Sequence, residues 1–425
     1  MTIALFVTFF LLLFLGIPVA FCLGLSSLTY MLLNDLPLLV IPQKMYAGLD
    51  SFTLLCIPGF VLAGNLMNGG GITEKIIKFC NAFVGHIRGG LGLANIGSSM
   101  VFAGISGTAL ADTSSIGGIM IPSMVKEGYG AEYSVAVTAA SSTIGPIIPP
   151  SLPMIIVGTL TGLSVSKLFL AGAIPGVLLG VGMMIVSYGI SIKLNHPKEK
   201  KTTFKEKLKA TKDAFWAIML TVIILVGILG GVFTPTEASI AAAIYALIVG
   251  KFVYKELKIK DLPKILLDSM VATASIMLLV GFANVFAWIL TSEQIPQIVA
   301  DSILNISKNK YIVLLLINIL LLFVGTFMET IAALVILFPV LLPVVTELGI
   351  SPIHFGVIMV LNLIIGLTTP PVGVCLFVAS SIGKVPMSRA IIGIMPFLAL
   401  SIFVLMLVTY IPSLSLFLPN LLLGQ

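Results

Sequence analysis

The chain has 425 residues, 58% of them hydrophobic and 9% charged, with a formal net charge of +6 and a mean hydropathy of +1.17. A soluble domain carries roughly 25% charged residues, so this composition excludes a water-solvated globule and describes a polytopic membrane protein. The basic excess lies in loops and implies no nucleic-acid partner. HExxH, GxxxxGK[ST] and GxSxG are all absent, so nothing in the sequence supports metal hydrolysis, ATP hydrolysis, esterase chemistry or any other enzyme.

Residues 3 to 33 form an apolar stretch that is long for one span; Gly16-Ile17-Pro18 could divide it into two short ones. It runs on into further spans without a small-residue cleavage site, unlike a cleaved signal peptide. Asn65, in FVLAGNLMNGG, could reach a site but better suits a hydrogen bond between helices. Gly71 to Gly90 (GITEKIIKFCNAFVGHIRGG) is an amphipathic, net basic connector expected on the cytoplasmic side. The next segment, Gly97 to Gly130, is too polar and Gly-rich for a lipid-facing span. It predicts a re-entrant hairpin of two short helices meeting near Ser106 to Ser115, with Asp112 as its acid near the tip. A carboxylate at membrane depth costs at least about 2.5 kcal/mol, so Asp112 should face a cation, a polar partner or a cavity, or else cap the second hairpin helix.

Residues 141 to 162, SSTIGPIIPPSLPMIIVGTLTG, put Pro146, Pro149, Pro150 and Pro153 where a membrane helix ought to run. Gly172, Gly176 and Gly180 then make a small-residue face for close helix packing. The lysine-rich stretches Lys193 to Asp213 and Lys251 to Lys264 are expected to be cytoplasmic. They flank two spans joined at GGVFTPTE, Gly230 to Glu237. Thr291 to Lys310 is a second amphipathic connector, suited to the outer side. Gly325 to Gly349 predicts a second hairpin, with Thr326, Glu329 and Thr330 near its tip. Residues 362 to 383, NLIIGLTTPPVGVCLFVASSIG, break a second helix at Pro370 and Pro371. Trp216 and Trp288 fit interfacial anchoring. Cys22, Cys56, Cys80 and Cys375 lack metal or redox spacing and suit small apolar filler, and His86, His196 and His354 are isolated.

Sliding the second half over the first by 221 positions superimposes the helix breakers: Gly104 on Gly325, Pro122 on Pro343, Gly128 on Gly349, Gly145 on Gly366, and Pro149-Pro150 on Pro370-Pro371. Gly162, Gly172 and Pro175 fall on Gly383, Gly393 and Pro396, which marks an internal duplication. Glu329 does not align with Asp112; it falls opposite Thr108. The expected fold is an all-α polytopic membrane protein of two inverted repeats. The first covers 1–192, with a hairpin at about 97–125 and a broken helix at about 132–162. Basic loops around a central pair of spans fill 193–265. The second repeat covers 266–425, with a hairpin at about 322–346 and a broken helix at about 353–383.

Lipid cannot hydrogen-bond a freed carbonyl or amide, so broken helices survive only inside protein or along a wet cavity. Proline removes an amide donor and leaves carbonyls without partners. Those carbonyls, with Ser and Thr hydroxyls, are oxygen ligands for a hard cation, and amides at a half-helix N-terminus favour an anion. Paired interruptions in two halves point to a secondary transporter with a site at the membrane midplane. The anion is expected between the hairpin tips, near hydroxyls such as Thr108, Ser114 and Ser115, with Asp112 and Glu329 as further candidate substrate contacts; Glu329, like Asp112, could instead cap the second helix of its hairpin.

GISGTALADTSSIG, GPIIPPS, GTFMETIAALVILFPVLLPV and GLTTPPVG together resemble the large membrane subunit of tripartite ATP-independent periplasmic (TRAP) transporters, and the likeness extends over essentially the whole chain. The resemblance implies an elevator-type symporter of bacterial inner membranes, a scaffold plus a moving domain. It implies Na⁺-driven uptake of a small organic acid such as a C4-dicarboxylate, a sugar acid or sialic acid. It also implies a periplasmic binding protein that delivers the substrate, a separate small four-helix membrane subunit, and no cofactor beyond Na⁺ as coupling ion. By motif match it places Na⁺ at Ser106, Gly107, Ser142 and Gly145 in one half, and at Gly325, Thr326, Gly366 and Thr369 in the other. The hairpin acid of the family's second half is often Asp; here it is Glu329. The alternative is a binding-protein-independent dicarboxylate or citrate symporter of related architecture.

Overall fold

The computed structural model describes residues 2–424, without the side chains of residues 2, 103–106 and 306. Regular structure among these residues is helical throughout, and seven of the helices are long and apolar enough to cross a membrane. The protein is thus a multi-pass membrane protein.

The N-terminal stretch is two helices, α1 (Thr2–Phe14) and α2 (Val19–Leu33), divided at Gly16, whose φ of 78° few other residues would adopt. After α3 (Val40–Leu49) and α4 (Cys56–Gly69), the basic connector forms α5 (Ile72–Val84). The first hairpin is α6 (Gly90–Ser106) and α7 (Ala109–Lys126). The first broken helix is α8 (Ala131–Ser142) and α9 (Leu152–Thr161), and the long α10 (Val165–Lys193) closes the half. The central pair is α11 (Phe204–Leu229) and α12 (Pro235–Ile248), each opened by a capping box, Thr203 with Glu206 and Thr234 with Glu237. Then come α13 (Leu262–Ser292), the second connector α14 (Ile295–Ile306), and the second hairpin, α15 (Lys310–Gly325) and α16 (Thr330–Glu347). The second broken helix is α17 (Pro352–Gly366) and α18 (Val374–Gly383), followed by α19 (Met387–Tyr410) and α20 (Ser413–Leu423).

A shift of 221 residues lays α7 on α16 end for end and brings Gly128 onto Gly349, both at positive φ (89° and 70°). Pro149–Pro150 and Pro370–Pro371 both carry cis peptide bonds. The first arm of each hairpin starts earlier than the sequence suggested, at Gly90 and Lys310 rather than near 97 and 322. The expectation followed the polar residues, which gather at the tips. The outer turns of these arms are as apolar as any span, as KYIVLLLINILLLF shows.

Two packing groups emerge. α2, α3 and α4 lie along α13, and α4 packs on α12, which packs on α11. The hairpins, broken helices, α10, α19 and α20 pack among themselves. Within this second group the halves are crossed: α7 of the first hairpin lies on α18, and α16 of the second hairpin lies on α9. The Gly face of α10, expected to pack closely on another helix, receives the first break at Gly172 and Gly176. A Cβ on Gly172 would sit 2.6 Å from the Ile147 carbonyl oxygen, and one on Gly176 would sit 2.5 Å from Ile148 Cγ1. Asn65 bonds across to α13, its Nδ2 donating to Ser269 Oγ at 2.8 Å. Trp216 is 43% exposed, and Lys44 Nζ lies 5.4 Å from the Trp288 ring.

A buried polar clamp, unforeseen from the sequence, fastens each hairpin to its broken helix one turn before the break. In the first half Asn95 Nδ2 on α6 donates to Thr138 Oγ1 on α8 at 2.6 Å, and Ser99 Oγ donates to Ser141 Oγ at 3.0 Å. In the second, Asn362 Nδ2 on α17 donates to the Asn318 carbonyl (3.0 Å) and to Asn318 Oδ1 (2.8 Å) on α15, while Asn318 Nδ2 donates to Thr409 Oγ1 (3.1 Å). The 221-residue register maps Ser141 onto Asn362, a correspondence that only contacts could make meaningful. Asn318→Leu leaves Asn362 only the main-chain carbonyl of residue 318 and deprives the Thr409 hydroxyl of its donor in a dry interior. It should lower thermal stability in detergent by about 1 to 2 kcal/mol, read as the midpoint of loss of the monodisperse peak in size-exclusion chromatography.

Candidate functional site

The first hairpin turns at Gly107 (φ 62°) and Thr108. Thr108 is extended and caps α7, its Oγ1 accepting from the Ala111 amide at 3.3 Å. Asp112 is therefore not the cap; it lies one turn inside the helix and is fully buried. Its position is tied to Gly145 in the facing break, where a Cβ would come within 2.3 Å of Asp112 Oδ2. A glycine at 145 lets the carboxylate lie directly against the main chain. The side chain of Ser106 lies outside the described residues. Ser142 is buried, its Oγ donating to the Thr138 carbonyl at 2.7 Å.

The second hairpin turns through Thr326 to Glu329, and Glu329 caps α16. Its Oε2 accepts from the amides of Ile331 (2.9 Å) and Ala332 (3.2 Å). Thr108 and Glu329 thus do one job at equivalent places, one neutral and one carboxylate. In turn, the register places Ala333 where the first half has Asp112. Gly325 meets Gly366 backbone to backbone: a Cβ on Gly366 would lie 2.5 Å from Gly325 Cα.

The breaks contain Pro149 and Pro150 between α8 and α9, and Pro370 and Pro371 between α17 and α18. Their carbonyls are less bare than the sequence argument supposed. Ser151 caps α9 and also donates its hydroxyl to the Pro146 carbonyl. The Thr368 and Thr369 hydroxyls both donate to the Ile365 carbonyl (2.9 and 2.8 Å). Gly366 O accepts from the Thr369 amide (2.9 Å), and Thr326 O from the Gly373 amide (3.3 Å). Tight turns and neighbouring hydroxyls re-pair what proline freed. A carbonyl or hydroxyl that makes one such bond still presents a lone pair to a cation, so these remain oxygen-rich junctions.

Between the two tips lies a cavity of about 220 Å³, lined by Gly107, Thr108 and Leu110 of one hairpin, Glu329 and Thr330 of the other, and Pro153 at the start of α9. The N-termini of α7, α9 and α16 all open onto it with their positive dipole ends, each already capped, by Thr108, Ser151 and the Glu329 carboxylate respectively. A second cavity of about 310 Å³ leads from Glu329 toward Pro18 at the start of α2 and Ser275 on α13. Ser114 and Ser115, expected near the anion, do not line either cavity. The Ser114 hydroxyl donates to its own helix at Leu110 and Ala111, and Ser115 Oγ accepts from Asn68 Nδ2 on α4 at 2.9 Å. Nearly two helical turns separate these serines from Thr108 at the tip, which carries them away to the flank of α7. Cys375 is buried against Ala109 and Leu367, so the first tip also touches the start of α18.

With this geometry in place, the comparisons are specific. The family described as "Tripartite ATP-independent periplasmic transporter, DctM component" matches residues 6–414. The sialic acid TRAP transporter large permease SiaM of Vibrio cholerae is 45% identical, over 97% of this chain and 97% of its own. The C4-dicarboxylate TRAP transporter large permease DctM of Pseudomonas aeruginosa is 42% identical, over 94% of this chain and 93% of its own. Among solved structures, the YdaH transporter of Alcanivorax borkumensis superposes with a TM-score of 0.60, over 88% of each chain, at 15% identity, a likeness of fold. A family match over nearly the whole chain, together with relatives this close, means that the chain belongs to the DctM component family of tripartite ATP-independent periplasmic transporters.

Proposed function

We propose that the protein is the large permease of a Na⁺-coupled symporter that takes up a small organic acid across a bacterial inner membrane. The acid binds in the cavity between the hairpin tips. The observation that carries this reading is the cavity between the two hairpin tips, onto which the positive dipole ends of α7 and α9 open, while Glu329 itself occupies the first amides of α16. Both relatives are named for carboxylate substrates, sialic acid and C4-dicarboxylates, which suits the same chemistry here. A periplasmic binding protein delivers the acid, and a small membrane subunit completes the assembly.

Na⁺ takes the two junctions, one around Gly107, Ser142 and Gly145 with Asp112 beside it, the other around Gly325, Thr326, Gly366 and Thr369. Neither a bare cation site nor a bare anion site is comfortable in a dry interior, so each ligand improves the other's binding. The two halves are inverted copies, and the group formed by hairpins and broken helices moves as one body against the group built on α13. The cavity that reaches from Glu329 to α2 and α13 lies along the boundary between those bodies.

The test is uptake into proteoliposomes containing this chain, the small subunit and the binding protein. Uptake should require an inward Na⁺ gradient; uptake indifferent to that gradient refutes the coupling. Thr369→Ala removes one junction oxygen and should raise the Na⁺ concentration for half-maximal uptake several-fold. An unchanged Na⁺ activation curve removes Thr369 from the site.

A further inference from the structure

The cavity between the hairpin tips is unequal in charge, and that inequality bears on which acid it can hold. Among the described residues, no lysine, arginine or histidine lines it or the cavity that leads on to α2 and α13. Glu329 is the charged residue in both walls. The other hairpin acid, Asp112, is buried against Gly145 of the first break.

Under the reading above, on which this inference rests, Na⁺ occupies the two junctions and the acid occupies this cavity. The positive ends of α7 and α9 are then what remains to face the cargo. Each is equivalent to about half a charge, so together they meet one carboxylate. A second carboxylate on the same molecule would be buried beside Glu329 with no cation to pair with, and an unpaired buried charge is strongly disfavoured.

The polar groups of the second tip narrow the choice further. Thr330 lines the cavity and is 3% exposed, and its Oγ1 has no hydrogen-bond partner among the described residues. Buried polar atoms are as a rule satisfied, so this one calls for a partner from the cargo. Glu329 Oε2 accepts from two amides, but a carboxylate has about four acceptor positions over its two oxygens. A wall made of Glu329 and Thr330 therefore favours a guest carrying O–H donors. Ala272, Ile276 and Leu367 complete the lining and suit the C–H faces of a carbon chain. The volume of about 220 Å³ falls below the roughly 300 to 1,000 Å³ of common ligand pockets, which keeps the guest short.

We infer that the cavity selects a short, singly charged, polyhydroxylated carboxylic acid of the aldonate type over dicarboxylates. Its carboxylate faces the ends of α7 and α9. Its hydroxyls meet Thr330 Oγ1 and the Glu329 carboxylate, which also repels a second acid group.

Thermal stabilisation of the purified full chain by acids of one carbon-chain length tests this apart from any selection by a binding protein. The probes are aldonates of gluco, galacto and gulo configuration, glucarate, adipate and hexanoate, each in Na⁺ and in K⁺. At least one aldonate should stabilise the protein in Na⁺ only, with an apparent affinity tenfold or more above that of glucarate, adipate or hexanoate. Thr330→Val keeps the side-chain shape but removes the hydroxyl; it should weaken aldonate binding roughly tenfold and leave the weak binding of hexanoate unchanged. Glu329→Gln should narrow the preference for aldonate over glucarate at least tenfold. Glucarate or adipate binding more tightly than every aldonate, still in Na⁺ only, overturns the inference and leaves the transport reading standing. An aldonate preference unmoved by both variants overturns the assignment to Glu329 and Thr330. If no acid stabilises the protein in a Na⁺-dependent way, the transport reading falls and this inference with it. The wild-type ranking alone decides the matter should either variant fail to fold.

Discussion

Gly366→Ala should abolish concentrative uptake in reconstituted vesicles while the protein still inserts and purifies. The added Cβ would stand 2.5 Å from both Cα and C of Gly325, backbone atoms with no side-chain rotamer to yield. The second hairpin must therefore lift off its broken helix by most of an ångström, and the oxygens of Gly325, Thr326, Gly366 and Thr369 move apart. Overpacking of this kind costs about 1 to 3 kcal/mol of stability, a loss that a large membrane protein survives. The proposed Na⁺ site, which needs those oxygens held together, would not. Uptake near wild type with an unaltered Na⁺ dependence would show that the contact between Gly325 and Gly366 is packing alone.

The second large effect is expected at Asp112→Asn. The substitution keeps shape and size against Gly145 but removes the charge lying on the first break. A unit charge near a bound cation contributes about 4 kcal/mol at 4 Å and an effective dielectric of 20. A tenfold or greater rise in the Na⁺ concentration for half-maximal uptake is thus a modest expectation, with maximal rate at saturating Na⁺ partly retained. A curve superimposable on wild type would return Asp112 to a structural role. The equivalent position in the other half is Ala333, so the two junctions should titrate unequally with Na⁺. The Asp112→Asn variant should make their affinities more alike.

The sequence carried the architecture well because the breakers are backbone statements. A doubled proline cannot continue a helix, and Gly145 and Gly366 mark places where two main chains, or a main chain and a carboxylate, touch. These residues act locally, so their meaning survives without coordinates. Side chains whose role depends on a distant partner were harder to read. Ser114 and Ser115 stand near the tip in sequence but nearly two turns away along α7. Asn95, Asn318 and Asn362 looked like unremarkable polar residues in apolar runs until α6 met α8 and α15 met α17. Capping was one of two readings open for Glu329, but that Thr108 rather than Asp112 is its counterpart in the first hairpin depends on backbone angles that a string of letters does not display. Carbonyl pairing in the breaks was misjudged for a similar reason: Ser151, Thr368 and Thr369 donate back into the turns that proline opened.

The crossing of α7 onto α18 and of α16 onto α9 has a consequence for the two junctions proposed to hold Na⁺. Each tip leans on a strut that belongs to the other copy, so neither copy can tighten without pulling on its sibling. Under the proposed Na⁺ coupling, occupancy at one end would be felt mechanically at the other, and a half-filled carrier would be a strained one. Leak of sodium without cargo would be suppressed by geometry shared between the copies, with no separate latch required.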